Sequence, residues 1–415
     1  MQIGWYSHYF VPEIGAPPAR LYDLSTRWRA AGHDVRVTTC FPNHPGGRLY
    51  PGYRRQWSLT ETIDGITVER LWTWLAPNRG FFKKLLGHVS FLASSLVSGP
   101  FRLPVADVVV GTSPTFFAAM AAAADAARWK RPFIMEVRDL WPAIFVELGV
   151  LRDKRLIALL EKLEWSLYQR SARIVTVTES FRQILIGRGM PPERIVTIPN
   201  GADTQYWQPA ADQETLRKQM GLQGRFVVLY IGAHGISHAL MRIVDCAERL
   251  KTRPDIHFVF VGDGSEKSHL VAGVRERRLS NVTFCEPVDR TGVKRFYAMA
   301  DLCLVPLRDI ALFETFIPSK MFEIMAMGRP ILASLKGEAA AILNASGGAM
   351  VVGPEDTSRI VDGIMLLCDQ PDYRRRLGEN GRLYVQSHFG RDLLAQRYLA
   401  MIEQVVAEAA DRRNV

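Results

Sequence analysis

Nowhere in the 415 residues does a window approach the ~20 consecutive apolar residues of a membrane-spanning helix. Cysteine is sparse and odd in number: Cys40, Cys246, Cys285, Cys303 and Cys368 show no CxxC and no Cys/His spacing. That excludes a disulfide framework and a zinc finger and points to a reducing cytosol. No low-complexity tract or short repeat is present, which removes solenoids and disordered linkers. The opening "MQIGWYSHYF" lacks a basic stretch followed by an apolar one, so it reads as a first strand instead of a signal peptide. No GxxxxGK[ST] and no GxGxxG with an acid about 20 residues on occurs, against a P-loop NTPase and a dinucleotide enzyme. Acids are in deficit, 42 against 52 Lys and Arg, for a net charge of +10. Such a balance favours nucleic acid, anionic membrane or phosphorylated substrates. Nucleic acid is set aside because no helix-turn-helix, RRM or zinc-finger pattern is visible.

What is present is a soluble composition, 48% apolar and 23% charged, in a chain long enough for two cores. Short apolar runs alternate with helical patterns throughout. Strands are predicted at 3–6, 35–39, 108–111, 133–137, 174–177 and 195–198, then at 227–231, 257–261, 282–285, 302–305, 331–333 and 349–351. Helices intervene near 17–31, 115–128, 154–170 and 180–188, then near 237–251, 265–277, 292–299, 319–327 and 358–368. This rhythm predicts an α/β chain of two doubly wound, parallel-sheet domains. The Pro, Asn, Gly and Asp of "IPNGADTQYWQPAADQ" place the joint there, giving domains 1–203 and 204–387. The charged helical end, from about 388 to 415, is expected to pack back on the first domain. A ligand belongs in the cleft, outside the carboxyl ends of the strands.

Three loops carry glycine directly after a strand. In "SHYFVPEIGAPPARLYDL", Gly15 permits a tight turn and Pro17 and Pro18 suit the first turn of a helix whose free N–H groups attract an anion. Alone, this loop reads equally well as a turn that needs a glycine. "VVLYIGAHGISHAL" places Gly232 and Gly235 beside His234 and His238, whose imidazoles are candidate donors to a diphosphate. "FVFVGDGSEKSHL" repeats the design with Gly262, Gly264 and Lys267. Three such loops argue together for a phosphate-bearing ligand.

Two further stretches carry charge in apolar surroundings. In "FFKKLLGHVSFLASSLVSGPF", Phe81, Leu85, Val89, Leu92 and Leu96 recur at helical spacing, with Phe82, Lys83 and Lys84 at the start and no acid. Either this basic amphipathic helix lies on an anionic membrane surface or it packs on its own domain. In "FETFIPSKMFEIMAMGRPI", Ser319, Lys320 and Glu323 sit among Met, Phe and Ile. An exposed i, i+3 pair competes with two buried charges that need a polar ligand.

With these residues in place the chain resembles the retaining GT-B glycosyltransferases of family 4, near the bacterial O-antigen and capsule enzymes of L-fucosamine-transferase type. Its markers are "PEIGAPPAR", "RAAGHDVRVTTCFPNHPGG", "VRDLWP", "IPNGAD", "YIGAHG", "VGDG" and "IPSKMFEIMAMGRPI", in order over nearly the whole chain. The resemblance implies two Rossmann-like domains facing a central cleft, an acceptor in the first and a nucleotide-sugar donor in the second. Glu323 matches the second glutamate of the family's spaced pair and is expected on the ribose hydroxyls. The first falls at Thr315, with Glu314 one residue off. Where many members carry an Arg and a Lys for the diphosphate, this chain has His234 and His238, which leaves Lys320 or Lys267 to add positive charge. Asp139 and Arg138 occupy the loop where relatives place a residue near the sugar; Asp139 either orients a hydroxyl or pairs with Arg138, and Glu136 is the fallback.

The implied reaction is retaining transfer of a sugar, an N-acetylated amino or deoxy sugar, from UDP to a lipid-linked saccharide. An undecaprenyl-diphosphate-linked one is expected, at the inner face of the plasma membrane. No metal or other cofactor is expected, since no DxD stands beside a strand. Rival readings are a GT-B epimerase of UDP-N-acetyl sugars and a non-catalytic nucleotide-sugar-binding module.

Overall fold

The computed structural model describes the chain except residues 45, 76–80, 103–105, 114, 148, 150, 210–213 and 415, and the side chains of 81–84, 99–102, 413 and 414. It divides into two compact units, Met1–Pro199 with Asp392–Val415, and Asn200–Arg391.

The first unit is built on eight strands: β1 (Gln2–Tyr6), β2 (Asp34–Cys40), β3 (Ser58–Ile63), β4 (Ile66–Leu71), β5 (Val108–Thr112), β6 (Phe133–Val137), β7 (Arg173–Thr176) and β8 (Ile195–Thr197). They lie in the order β3-β4-β2-β1-β5-β6-β7-β8, and every pairing is parallel except β3 with β4. Helices α1 (Ala16–Ala30), α2 (Phe81–Arg102), α3 (Phe116–Arg128), α4 (Ala143–Glu147), α5 (Lys154–Arg170) and α6 (Glu179–Gly187) connect them.

The second unit starts with α7 (Glu214–Gln219). Its six strands, β9 (Phe226–Ile231), β10 (Ile256–Val261), β11 (Val282–Cys285), β12 (Leu302–Pro306), β13 (Ile331–Ser334) and β14 (Ala349–Val352), form one parallel sheet in the order β11-β10-β9-β12-β13-β14. Helices α8 (Leu240–Arg249), α9 (Lys267–Glu276), α10 (Arg290–Met299), α11 (Lys320–Ala326), α12 (Gly337–Ser346), α13 (Thr357–Asp369) and α14 (Pro371–His388) cover it, and α15 (Arg391–Asn414) closes the chain.

The central strands are buried at every residue, β5 and β6 in one sheet and β9, β10, β12 and β13 in the other. A parallel sheet covered on both faces demands this, and it is why they read as apolar runs interrupted only by such residues as Glu136 and His257. The β3–β4 hairpin is absent from the sequence-based prediction. Asp64 and Gly65, at φ 48° and 78°, form the two-residue Asp-Gly loop that such hairpins favour, so a signal was there to be used. The helical run breaks at Phe389–Gly390, between α14 and α15. There Ala202 bridges Gly390, and Arg391 donates from its backbone N–H to the Ala202 carbonyl and from Nε to that of Gly201. Beyond the break, α15 enters the core of the first unit: Leu394, Tyr398 and Ile402 pack with Ile3, Trp5 and Trp28, and Trp28 Nε1 donates to the Ala395 carbonyl at 3.0 Å.

No described helix is long and apolar enough to cross a membrane. On α2 the described residues split unusually. Leu86, Val89, Leu96 and Val97 are exposed, while Gly87, Phe91, Ser94, Ser95 and Ser98 face inward. The expected Phe81, Phe82, Lys83 and Lys84 contacts lie outside the described side chains.

Candidate active site

In the second unit the loops after β9 and β10 press against each other. Gly232 and Gly262 have φ of 139° and 136°, values L side chains rarely adopt. A Cβ on Gly262 would lie 2.0 Å from the Gly232 carbonyl oxygen, and one on Gly264 2.4 Å from that of His234. These two glycines are therefore required by loop-on-loop packing, a need distinct from the approach of a phosphate assumed from the sequence. Gly15, at φ 148°, has nothing nearer its missing Cβ than Pro17 Cδ at 3.7 Å; only its backbone conformation calls for glycine. It precedes α1 without a side-chain cap.

Beside Gly232 stands the ammonium of Lys320. Its Nζ is enclosed without a hydrogen-bond partner and lies 4.1 Å from the centroid of the Tyr230 ring. A Cβ on Gly232 would come within 2.7 Å of it, so this glycine makes room for a cation. Burial pulls Lys320 down to about 7, opposed first by the negative charge of Glu323. Cation–π attraction is a partial substitute for water. Lys320 opens α11, and Ser319 before it is helical, at φ −58°, without capping through its side chain. Glu323, one turn on, is half-buried and accepts from Tyr297 Oη at 3.4 Å.

Of the two histidines only His238 requires a correction as a donor, since neutral His234 keeps an unpartnered N–H. His234 is 0% exposed, walled by Tyr230, Phe260 and Phe284. Burial, then Lys267 and Lys320, depress it to about 4, with the Val261 backbone as a weak polar neighbour. His238 is held at about 3, again by burial first, and its Nδ1 meets the Pro306 carbonyl at 3.2 Å. Both imidazoles are neutral at pH 7 and add no charge for a diphosphate. With Nδ1–H donated to Pro306, Nε2 of His238 is left as an acceptor, so it does not donate to phosphate either. Lys267 pairs at 2.8 Å with Glu286, a carboxylate 83% exposed, a contact weak enough for a ligand to replace. The charge at this site rests on Lys320. Thr315 bonds back to its own turn, Oγ1 to the Leu312 carbonyl at 2.7 Å, and Glu314 is exposed.

In the first unit, Ser113 fixes the loop after β6. Its Oγ accepts from the N–H of Arg138 at 3.0 Å and of Asp139 at 3.5 Å, and donates to the Asp139 carbonyl at 3.2 Å. Asp139 is half-buried. The Arg138 guanidinium is enclosed, with Nε lacking a partner; burial lowers it from its ordinary value, against the attraction of Glu136. Glu136 itself, the fallback, is engaged elsewhere. Its Oε1 accepts from Arg20 Nε at 3.0 Å, both side chains 2% exposed, and its Oε2 from Thr112 Oγ1 at 2.8 Å.

Sequence reasoning passed over a polar cluster after β1 and β2. Glu13 accepts from the N–H of Asn43 and His44, each at 2.9 Å, and of Phe10 at 3.3 Å, and burial pushes it up to about 7. The His8 and His88 rings meet tilted at 4.3 Å, and Tyr9 meets His44 edge-on at 5.0 Å. The signal was the acid within "PEIG", which has no solvated face on that loop.

Residues 15–201 match the Glycosyl transferase 4-like domain and residues 212–384 the Glycosyl transferases group 1 domain. WcaI of Escherichia coli (strain K12), named as a glycosyl transferase of colanic acid biosynthesis, is 26% identical over 88% of this chain and 91% of its own. The sucrose-phosphate synthase structure from Thermosynechococcus elongatus superposes with a TM-score of 0.75 at 18% identity, over 98% of this chain and 99% of that one. HepE of Anabaena in complex with UDP-glucose gives 0.71 at 15%, over 97% and 100%. With two parallel-sheet units and both family domains in sequence, the chain belongs to the GT-B glycosyltransferases.

Proposed function

We propose that the protein transfers a sugar from UDP to a lipid-linked saccharide during cell-surface polysaccharide synthesis, with retention of configuration. The observation that carries this is the enclosed Lys320 ammonium, held without a hydrogen-bond partner beside Gly232. A buried cation with no partner is costly, and a nucleoside diphosphate supplies what it lacks. As the sugar C1 leaves, charge grows on the phosphate, and a fixed cation lowers that barrier without help from a metal. The leaving phosphate then takes the acceptor proton on the same face. Ser319 and Lys267 add donors, Glu323 takes the ribose hydroxyls, and Asp139, set by Ser113 and Arg138, orients a hydroxyl. UDP in HepE and the polysaccharide named for WcaI support the donor and pathway class. The sugar is read as an N-acetylated amino or deoxy sugar, its selection shaped by Thr315.

Glu323→Ala is expected to weaken UDP binding by about tenfold or more, the worth of a pair of charge-assisted hydrogen bonds. Calorimetry with UDP checks this, and an unchanged Kd removes Glu323 from the donor site. The acceptor is read at the inner face of the plasma membrane, where the outer residues of α2 meet anionic lipid. Val89→Glu with Val97→Glu should reduce sedimentation with phosphatidylglycerol vesicles; equal sedimentation sinks the membrane assignment.

A further inference from the structure

A cavity of about 150 Å³ opens at the end of the first unit's sheet where β2 and β4 finish. Its wall includes Phe41 and Leu49, the guanidinium-bearing Arg54 and Arg55, and the rings of Trp72 and Trp74. Because β3 runs antiparallel to β4, the Arg54–Trp57 segment leading into β3 sits at that same end. This is the carboxyl end of the parallel strands, where doubly wound sheets take ligands.

The aromatic strap is held from behind by α2. Three serines, four residues apart, each grip it. Ser90 Oγ accepts from the Trp74 N–H at 2.8 Å, Ser94 Oγ donates to the Trp72 carbonyl at 2.7 Å, and Ser98 Oγ accepts from Trp57 Nε1 at 2.9 Å. Gly87 completes the fit, since a Cβ there would stand 3.0 Å from the Trp74 carbonyl oxygen. Trp57 and Trp72 stack at 6.1 Å and 11°. A strap serving only to cover α2 would bury its rings. Trp74 instead is 53% exposed, on a backbone whose N–H is held by Ser90. Arg54 and Arg55 are exposed, and neither forms an ion pair among the described residues.

A rigid, exposed indole face binds the apolar face of a pyranose ring, and two arginines select an anion beside it. We infer that this cavity is an acceptor subsite for a saccharide unit bearing an anionic group. That group is either a carboxylate on the sugar or the diphosphate joining it to lipid. The volume, below the roughly 300–1,000 Å³ of a whole-ligand pocket, suits one such unit. The inference rests on the reading of the protein as a transferase to a lipid-linked saccharide, and it concerns the unit that does not hold the donor.

Three probes test it on the full chain: methyl glucuronide and methyl glucoside by saturation-transfer NMR, and inorganic pyrophosphate by calorimetry. Binding of the glucuronide about tenfold tighter than the glucoside identifies a carboxylate; binding of pyrophosphate that persists under saturating UDP identifies the linkage. In either case Arg54→Gln with Arg55→Gln should abolish the preference. Trp74→Ala should cut the glucuronide signal while leaving the circular dichroism spectrum and UDP affinity intact. Equal binding of the two glycosides with no pyrophosphate binding overturns the proposal, as does wild-type behaviour of both variants. If UDP fails to bind the wild type while an anionic probe does, the donor assignment falls and the subsite stands.

Discussion

Lys320→Met lowers kcat/KM by about 100- to 1,000-fold, the usual loss when one preorganised donor to a developing anion is removed. The ammonium is enclosed against Tyr230 and Gly232, where the dielectric is low and a charge acts strongly. A proton signature accompanies it. Held at about 7 in the free protein, Lys320 is mostly neutral at pH 8, and an arriving diphosphate restores its affinity for the proton. UDP binding at pH 8 therefore takes up a proton, read as a dependence of the calorimetric enthalpy on buffer ionisation, and Lys320→Met abolishes that uptake. The variant should fold as well as wild type, since an unpaired buried charge is replaced by an apolar group. The sign of the pH effect follows. Between about 7 in the folded state and the ordinary 10.5, the unfolded chain holds the proton that the folded one has released. Wild-type stability thus gains a rising component from pH 7 to 9, which the variant lacks. Intact turnover in Lys320→Met would remove the carrying observation from the functional reading.

Arg20→Met costs about 3–5 kcal/mol of stability in the first unit, the typical result of leaving one member of a buried pair behind. Arg20 and Glu136 are each 2% exposed and 3.0 Å apart. The guanidinium also reaches the carbonyls of Ile198 at 3.0 Å and Pro199 at 2.8 Å, tying α1 to the segment after β8. Removal leaves Glu136 hydrogen-bonded to Thr112 alone among the contacts described, with Arg138 as its remaining charged neighbour. Thermal melting should show the loss as a Tm roughly 6–20 °C lower. Adding Glu136→Leu should recover part of it, because replacing both charges is far cheaper than stranding one. UDP affinity, which the proposed function assigns to the other unit, should not change. If Glu136 were an acid or base in the reaction instead, Arg20→Met with Glu136→Leu would recover stability without recovering turnover.

Much of the architecture is legible from residue patterns because parallel strands buried on both faces must be largely apolar. Segments such as "FVVLYI" and "FIMEV" admit few other readings. The hairpin is harder, since β3 is half-exposed and its alternation of Ser, Thr and Glu resembles a loop; only Asp64-Gly65 betrays it. Helix α12 is disguised by "GEAAAILNAS", a helix of small residues with little amphipathic contrast. At the site, Lys320 and Glu323 stand out because charges in an apolar helix contradict their neighbours. The states of His234 and His238 do not, since adjacent imidazoles look equally exposed in sequence. What buries His234 is a second loop, brought against it by Gly262 and Gly264 from about 30 residues away. Long-range packing of that kind leaves no local trace. The serines of α2 were invisible for the same reason, as their partners lie on another element.

The last helix has a consequence for how the chain is made. The first unit begins at the N-terminus, yet Leu394, Tyr398, Ile402 and Val405 of α15 belong to its core beside Trp5 and Trp28. Domains commonly fold in order as they leave the ribosome. Here the second unit, contiguous from Asn200 to Arg391, has all its residues before the first does. During synthesis the older half waits with an open seam along α1 and β1, and the younger half can finish first. Shielding of Trp5 and Trp28 until α15 arrives is then a task for chaperones, or for the speed of translation itself.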